Sequence, residues 1–403
     1  VRLTIERLGH LGDGIGPGPV YVPRTLPGEE VEGEAEGTSL AAPRIFTPSP
    51  DRVKPPCPHY TQCGGCALQH ASDSFVAGWK VDVVRQALAA QDLSTLFRPI
   101  LTSPPRTRRR AALSGRRTKK ATVVGFHGRA SGTITAVPGC ELLHPDLLAA
   151  LPGLEAITAA GASRKGELTL VLTRSEAGPD LAVSGGKPLD GPLRATLAGL
   201  AEAHGLARLS WEGETVAQRL PPAQAFGAAR VIPPPGAFLQ ATAEGKAALL
   251  AAATEAVGEA RQIADLFAGC GTFTLALAAK AELHAVEADA AMLAALDRGW
   301  RAAPGLKRVT TEARDLFRRP LLPEELKRFD AVLIDPPRAG AEAQMAEIAR
   351  ARVPRIAAIS CNPVSFARDA RILTGAGYSL DWVQVVDQFR WSPHIEIAAC
   401  FSL

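Results

Sequence analysis

No stretch of this chain stays apolar and uncharged for eighteen or more residues, so none of it reads as a membrane-spanning helix. Val1 to Gly16 also lacks the apolar core of a signal peptide, and a cytoplasmic location with no membrane partner is expected. An excess of one charge is missing too. The 45 Lys and Arg exceed the 41 Asp and Glu by only +4, too little by itself to mark a nucleic-acid binder. Cysteine is sparse, seven in 403 residues, and in a cytosolic chain such a set argues for metal or catalytic use over disulfides. No segment suggests a protein partner, and the length suits two or three domains.

What is present divides into three zones. Residues 1–50 alternate apolar and polar positions in short runs broken by glycine and proline, with landmarks at Ile5, Leu8, Gly12, Gly14, Ile15, Leu26, Gly28, Glu29 and Val31. The pattern predicts a small β-barrel and resembles the TRAM domain, an OB-like RNA-binding barrel; the plainer reading is a barrel without a ligand. Residues 51–235 read as a central α+β domain, with a helix over Trp79 to Ala90 and a strand over Glu167 to Thr173. Within it Arg106, Arg108, Arg109, Arg110, Arg116, Arg117, Lys119 and Lys120 follow one another with no acid among them. That block predicts a basic, phosphate-binding hairpin continuing into Ala121 to Phe126, the alternative being a solvated arm.

The central zone opens on Cys57, Cys63 and Cys66, a C-x5-C-x2-C run in which Gly64 and Gly65 let the backbone curl toward the sulfurs. A fourth ligand must come from elsewhere, and Cys140 is the remaining upstream cysteine. Four thiolates suit either a tetrahedral zinc or an iron–sulfur cluster, and spacing does not separate them. His59 and His70 are expected beside the site rather than in it.

Residues 236–403 alternate apolar strands with helical stretches, as a doubly wound α/β domain does. Strands are expected at Ile263 to Phe267, Leu283 to Glu287, Ala331 to Asp335 and Ile356 to Ser360, and the last two, Trp382 to Val386 and Ile395 to Phe401, should form an antiparallel hairpin. Cys361 follows a strand end, and Asn362 with Pro363 forces a turn there. Ligands of open α/β sheets bind at this carboxyl edge, and the returning hairpin strand brings Glu396 to the same side. The pair reads as nucleophile and base, against the plain alternative of a buried, inert thiol.

The cofactor pocket is expected around Gly269, Gly271 and Thr272, a glycine loop between the first strand and a helix. The third glycine of a dinucleotide fingerprint is absent near Thr274, whereas Glu287 ends the next strand, where an acid can bind both ribose hydroxyls. This fits S-adenosylmethionine better than a pyrophosphate cofactor. Asp335, Pro336 and Pro337 make a rigid turn that fixes the Asp335 carboxylate toward the same pocket. A similar turn occurs in enzymes that methylate base amino groups, which need no cysteine.

Taken together, CGGCALQH, DLFAGCGTF, DPPRAG, SCNP and PHIE closely resemble the RNA uracil-C5 methyltransferases, most of all the ribosomal branch that carries an iron–sulfur cluster. The resemblance covers all three zones and implies a Rossmann-like methyltransferase domain behind a TRAM barrel and a cluster-binding domain. It implies Cys361 as nucleophile, Glu396 as base, and Gln240 in Phe238, Leu239, Gln240 as a residue lining the donor and uracil pocket. Phe267, Glu287 and Asp335 fall on other binding positions. It also implies a four-iron, four-sulfur (4Fe-4S) cluster on Cys57, Cys63, Cys66 and Cys140, and RNA as partner, ribosomal rather than transfer RNA. The chain departs from the family at Thr242 and Thr272, where asparagine is usual, and near Asp315, where Ala313 or Asp315 takes the place of another cofactor contact. Two other readings compete: an amino-group base methyltransferase, and a non-enzymatic RNA-binding iron–sulfur protein.

Overall fold

The computed structural model describes residues 1–119 and 121–403, so Lys120 of the basic block lies outside the described residues. Residues 2–47 form two small sheets, one of three strands and one of five, with Ile5, Val22, Val31 and Leu40 buried between them. Glu29 is fully buried, so its charge needs partners. It accepts from the Leu26 and Ser49 amides at 2.9 and 3.1 Å and from Arg52 on both oxygens at 2.5 and 2.7 Å. That clip ties the first zone to the chain just beyond it.

The central sheet has seven strands and contains the expected hairpin near one edge: Arg110–Arg117 pairs antiparallel with Thr122–His127, Arg117 opposite Thr122. Leu113 of this hairpin and Leu168, Leu170 and Leu172 of the neighbouring strand, Glu167–Ser175, alternate onto one buried face.

The C-terminal sheet has nine strands, and its inner four, Gln262–Leu266, Glu282–Glu287, Ala331–Ile334 and Arg355–Ser360, are parallel. Gln262–Leu266 lies between Glu282–Glu287 and Ala331–Ile334, so the strand order reverses beside it, where such sheets leave a ligand crevice. The hairpin closes the sheet, Glu396–Ser402 running antiparallel to both Arg355–Ser360 and Ser379–Asp387. One parallel strand, Val309–Ala313, was not foreseen; Thr310, Thr311 and Glu312 give it no apolar signal.

Residues 73–102, grouped by sequence with the central zone, join this third sheet instead. The helix Asp73–Ala89 packs on it, and the short strands Leu96–Phe97 and Leu101–Thr102 extend its edge beside Ser379–Asp387. The helix starts earlier than its apolar periodicity suggests because the Ser72 hydroxyl accepts from the Phe75 amide and caps it.

Lys80 of that helix is wholly buried, with its ammonium 2.6 Å from Asp387 Oδ1 and 3.1 Å from the Phe389 carbonyl. Burial pulls the Lys80 pKa down, and the Asp387 carboxylate opposes that pull. Lys80→Ala leaves Asp387 buried and unpaired, so it should cost about 3–5 kcal/mol in denaturant unfolding, while Lys80→Met combined with Asp387→Leu should cost clearly less than that single change.

Candidate active site

Two turns at the carboxyl edge of the sheet are fastened to one another. Asn362 caps the helix Pro363–Gly375 by accepting from the Val364 amide, and its Nδ2 donates to the Arg338 carbonyl at 2.9 Å. Ser365 Oγ donates to the same carbonyl at 3.1 Å. The Asp-Pro-Pro-Arg turn and the Cys-Asn-Pro turn therefore form one rigid unit, with Cys361 half-buried on it. Ser360 pairs with Ile397 across the antiparallel register, which sets Glu396, 3% exposed, beside Cys361.

The electrostatics of this corner favour neutral forms. Burial, then Asp335, pushes the Glu396 carboxyl up to about 8, against a contribution from Gln388 that holds it down. Burial also pushes Cys361 up to about 11, with Glu396 and Asp335 adding to the rise and Arg338 opposing it. Desolvation carries Asp335 to about 7, with Asp265 adding to it. Asp265, fully buried on the adjacent strand, is likewise raised to about 7 by burial; its Oδ2 accepts from Thr274 Oγ1 at 2.5 Å and its Oδ1 has no protein partner.

The glycine loop is shaped by backbone constraints. Phe267, Gly269 and Gly271 have φ of 62°, 56° and 89°, a region costly for any residue with a Cβ. A Cβ on Gly271 would also lie 2.7 Å from Leu296 Cγ, whereas one on Gly269 would meet open space. Glu287 binds this loop to the next: its Oε2 accepts from the Gly269 amide at 3.0 Å, and its Oε1 from the Ala288 and Asp289 amides at 2.7 and 3.0 Å. Asp315 accepts from the Phe317 amide at 3.0 Å, and the half-exposed Phe317 ring stands 5.4 Å from that of Phe267. Sequence reasoning missed Phe317; its one signal is an apolar residue two positions after Asp315. Gln240 comes to the same corner, its Nε2 3.4 Å from Asp335 Oδ2. Thr272 stands in the loop leading to the short helix Thr274–Leu277.

Cys57, Cys63, Cys66 and Cys140 line one cavity of 460 Å³, which also receives Arg24, Arg108, Arg110 and Arg129. The Gly65 amide donates to Cys63 Sγ at 3.3 Å and the Leu142 amide to Cys140 Sγ at 3.4 Å. Gly64 is required because a Cβ there would lie 2.7 Å from the His127 carbonyl. His59 and His70 are engaged beside the site, His59 Nε2 accepting from the Gly139 amide at 3.1 Å and His70 Nδ1 lying 2.7 Å from the Tyr60 hydroxyl. Among the described residues no three His, Cys, Asp or Glu side chains converge as a single metal ion requires. Four thiols on one arginine-lined cavity are a donor set that suits a thiolate-bound metal group, zinc or iron–sulfur.

Part of the basic block turns inward: Arg108, Arg109 and Arg110 are half-buried or buried, while Arg106, Arg117 and Lys119 stay exposed. Arg109 Nε donates to the Gln240 carbonyl at 2.9 Å, and Arg110 reaches the Ala237 and Gly236 carbonyls, both at 3.0 Å. Arg108 lies over the Phe389 ring, Arg106 pairs with Glu141, and Arg116 pairs with Glu167. These guanidiniums serve as internal brackets, three of them fastening the segment that carries Gln240 and the loop before Glu396. The open groove lies elsewhere. A cavity of 750 Å³ runs from Arg7 and His10 past Phe75 and Trp79 to Arg338, Cys361 and His394.

A thiol pushed up to about 11 holds little thiolate at pH 8. Cys361 should therefore react with iodoacetamide more slowly than a cysteine in an unfolded peptide, and Glu396→Gln, by removing a neighbouring carboxylate, should speed it. Timed labelling with peptide mass mapping reads both rates.

Residues 301–402 match the family model described as tRNA (Uracil-5-)-methyltransferase. Over its full length the chain is 44% identical to an uncharacterized RNA methyltransferase of Brucella suis biovar 1, covering 97% of that protein. It is 28% identical, covering 100% of this chain and 96% of the relative, to the 23S rRNA (uracil(1939)-C(5))-methyltransferase RlmD of Aeromonas salmonicida. In fold it is similar to the Pyrococcus abyssi tRNA (uracil-54, C5)-methyltransferase solved with S-adenosyl-L-homocysteine, with a TM-score of 0.77, 22% identity and 99% of each chain covered. The chain belongs to the family of RNA uracil-C5 methyltransferases.

Proposed function

We propose that the protein methylates C5 of a uridine in RNA, with Cys361 as nucleophile, Glu396 as base and S-adenosylmethionine as methyl donor. The observation that carries this reading is the pairing of Ser360 with Ile397, which sets a half-buried thiol next to a buried carboxyl at the end of an open groove. C5 of uracil is too weakly nucleophilic to take a methyl group directly. Addition of the Cys361 thiolate to C6 moves an electron pair onto C5, making it the nucleophile. The donor supplies an electrophilic methyl sulfonium. Glu396 then removes the proton from C5, and the returning electron pair expels the Cys361 thiolate from C6. Reaching the base requires the uridine to leave its stack, at a cost of a few kcal/mol. Trp79, Phe75, Arg7 and Arg338 along the groove are suited to offset it by stacking and phosphate contacts.

For the donor, Gly269 and Gly271 would allow close approach of the backbone, Glu287 and Asp315 would face ribose and adenine, Phe267 with Phe317 would flank the adenine, and Gln240 and Asp335 would face the methionyl end. Thr272 stands where asparagine is usual. The cysteine cavity would hold a 4Fe-4S cluster on Cys57, Cys63, Cys66 and Cys140, with the surrounding arginines offsetting its charge; its contribution is to lock the 57–66 loop. Residues 1–50 would act as a TRAM-type barrel, 51–235 as the cluster domain and 236–403 as the methyltransferase. Ribosomal RNA is the target class we favour, supported by the full-length similarity to a ribosomal RNA enzyme.

RNA containing 5-fluorouridine, incubated with S-adenosylmethionine, should give a methylated covalent adduct visible as intact mass, because fluorine cannot leave as a proton. The adduct should vanish in Cys361→Ala; a Cys361→Ala protein that still methylates RNA would replace this reading with direct amine attack near Asp335. Glu396→Gln should accumulate an adduct on ordinary RNA. Because a base must be deprotonated to act and Glu396 is raised to about 8 in the donor-free protein, kcat/KM for the methyl donor should climb with pH up to that region, well above the usual carboxylate range. Protein prepared without oxygen should contain iron and acid-labile sulfide in equal amounts, and Cys66→Ser should lose both; zinc in their place would overturn the cluster assignment.

A further inference from the structure

Between the base and the cofactor side of the pocket lies a line of buried amides that the reaction as described does not use. The Ala241 amide donates to Gln388 Oε1 at 2.7 Å. A backbone N–H can only donate, so this contact settles which end of the Gln388 carboxamide is oxygen. Its Nε2 then donates to Gln240 Oε1 at 2.5 Å. With its oxygen so occupied, Gln240 must turn its own Nε2 toward Asp335 Oδ2, 3.4 Å away. Gln388 stands two residues beyond Val386, which pairs with Glu396, so it lies close to the base along the hairpin, and its carboxamide helps hold the Glu396 pKa down. Gln388 is 1% exposed and Gln240 3%. The fold makes room for it: a Cβ on Gly245, in the helix Ala243–Val257, would lie 2.6 Å from Gln388 Cβ.

We propose that Gln388 is a positioning residue that orients two groups at once, turning the Gln240 amide toward Asp335 and holding the Glu396 carboxylate in its proton-accepting form. One backbone N–H, that of Ala241, sets the polarity of the whole line. This inference rests on the reading of Glu396 as base. The charged and titratable groups around that carboxyl are Asp335 from the adjacent turn and Cys361 with Arg338 on the nucleophile side. Lys80 and Asp387 offset one another next to Gln388. Of these groups and Gln388, Gln388 favours the charged form of Glu396 and Arg338 that of Cys361.

The test is the pH dependence of kcat/KM for RNA methylation in wild type, Gln388→Leu and Gln388→Glu, with melting temperatures measured alongside. Removing the amide should move the acid limb upward by on the order of one pH unit, the size of a hydrogen bond to a charged group. Gln388→Glu should move it further, since a second carboxyl would face Glu396. A lower rate with the limb unmoved would mean that Gln388 only packs, and would overturn the proposal. Gly245→Ala removes no polar side chain but pushes Gln388 aside, so it should shift the limb the same way and decides the matter if the Gln388 variants do not fold. The two readings fail separately. Absence of a trapped adduct in Glu396→Gln would remove Glu396 as base, whereas a trapped adduct with no limb shift in any variant would sink the Gln388 proposal alone.

Discussion

The buried ion pair between Lys80 and Asp387 is the constraint on which the candidate active site depends. It joins residues 307 positions apart, the helix Asp73–Ala89 and the end of the strand Ser379–Asp387, and neither side chain reaches water to any useful extent. A pair this deep is weak evidence for net stability, because desolvation consumes most of its attraction, but it tolerates only one arrangement of its partners. Asp387 begins the loop that returns as Glu396, and the same loop is pinned further on. Arg390 pairs with Asp73, and the Trp391 carbonyl accepts from the Ala67 and Leu68 amides at 2.8 and 3.0 Å. Glu396 is therefore held by chain contributed from the cysteine loop and the central helix as much as by its own sheet.

That arrangement explains why residues 73–102 join the C-terminal sheet. A hairpin at the edge of a sheet leaves unpaired backbone groups, and Leu96–Phe97 and Leu101–Thr102 cover that edge beside Ser379–Asp387. Arg98, between them, lies over the Trp382 ring and pairs with Glu255 on the opposite helix. Covering the edge and locking the loop are then one structural solution.

Much of this was legible in the sequence and some was not, for identifiable reasons. The inner strands, the closing hairpin and the turns at Asp335 and Cys361 announce themselves because a short apolar run ending in proline or glycine is a local signal. The adjacency of Cys361 and Glu396 follows from strand direction alone. The role of Arg108, Arg109 and Arg110 was misread because a charge count along the chain carries no information on burial. The acceptors of Arg109 and Arg110, the carbonyls of Gly236, Ala237 and Gln240, lie more than a hundred positions away. Gln388 and Phe317 were missed for a related reason: a single amide or ring gains meaning only from partners that folding supplies. The cysteine set was legible as a set, because Cys57, Cys63, Cys66 and Cys140 do line one cavity.

The electrostatics of the site make sense only if something positive enters it. Asp265, Asp335, Glu396 and Cys361 are all pushed toward their neutral forms, chiefly by burial and then by neighbouring acids, and Arg338 opposes that trend at the thiol. A cation placed among them would lower every one of these pKa values at once, the thiol included. In the proposed reaction the methyl donor carries a sulfonium charge, so its arrival would supply that missing term. A reactive thiolate and a competent base would then be favoured together, and chiefly when a methyl group is present to be transferred. Without the donor the thiol stays protonated and protected from oxidation, since the thiolate is the form that oxidants attack. In the proposed reaction, burial that looks unfavourable in the free protein would thus tie the activation of Cys361 to the occupancy of the neighbouring pocket.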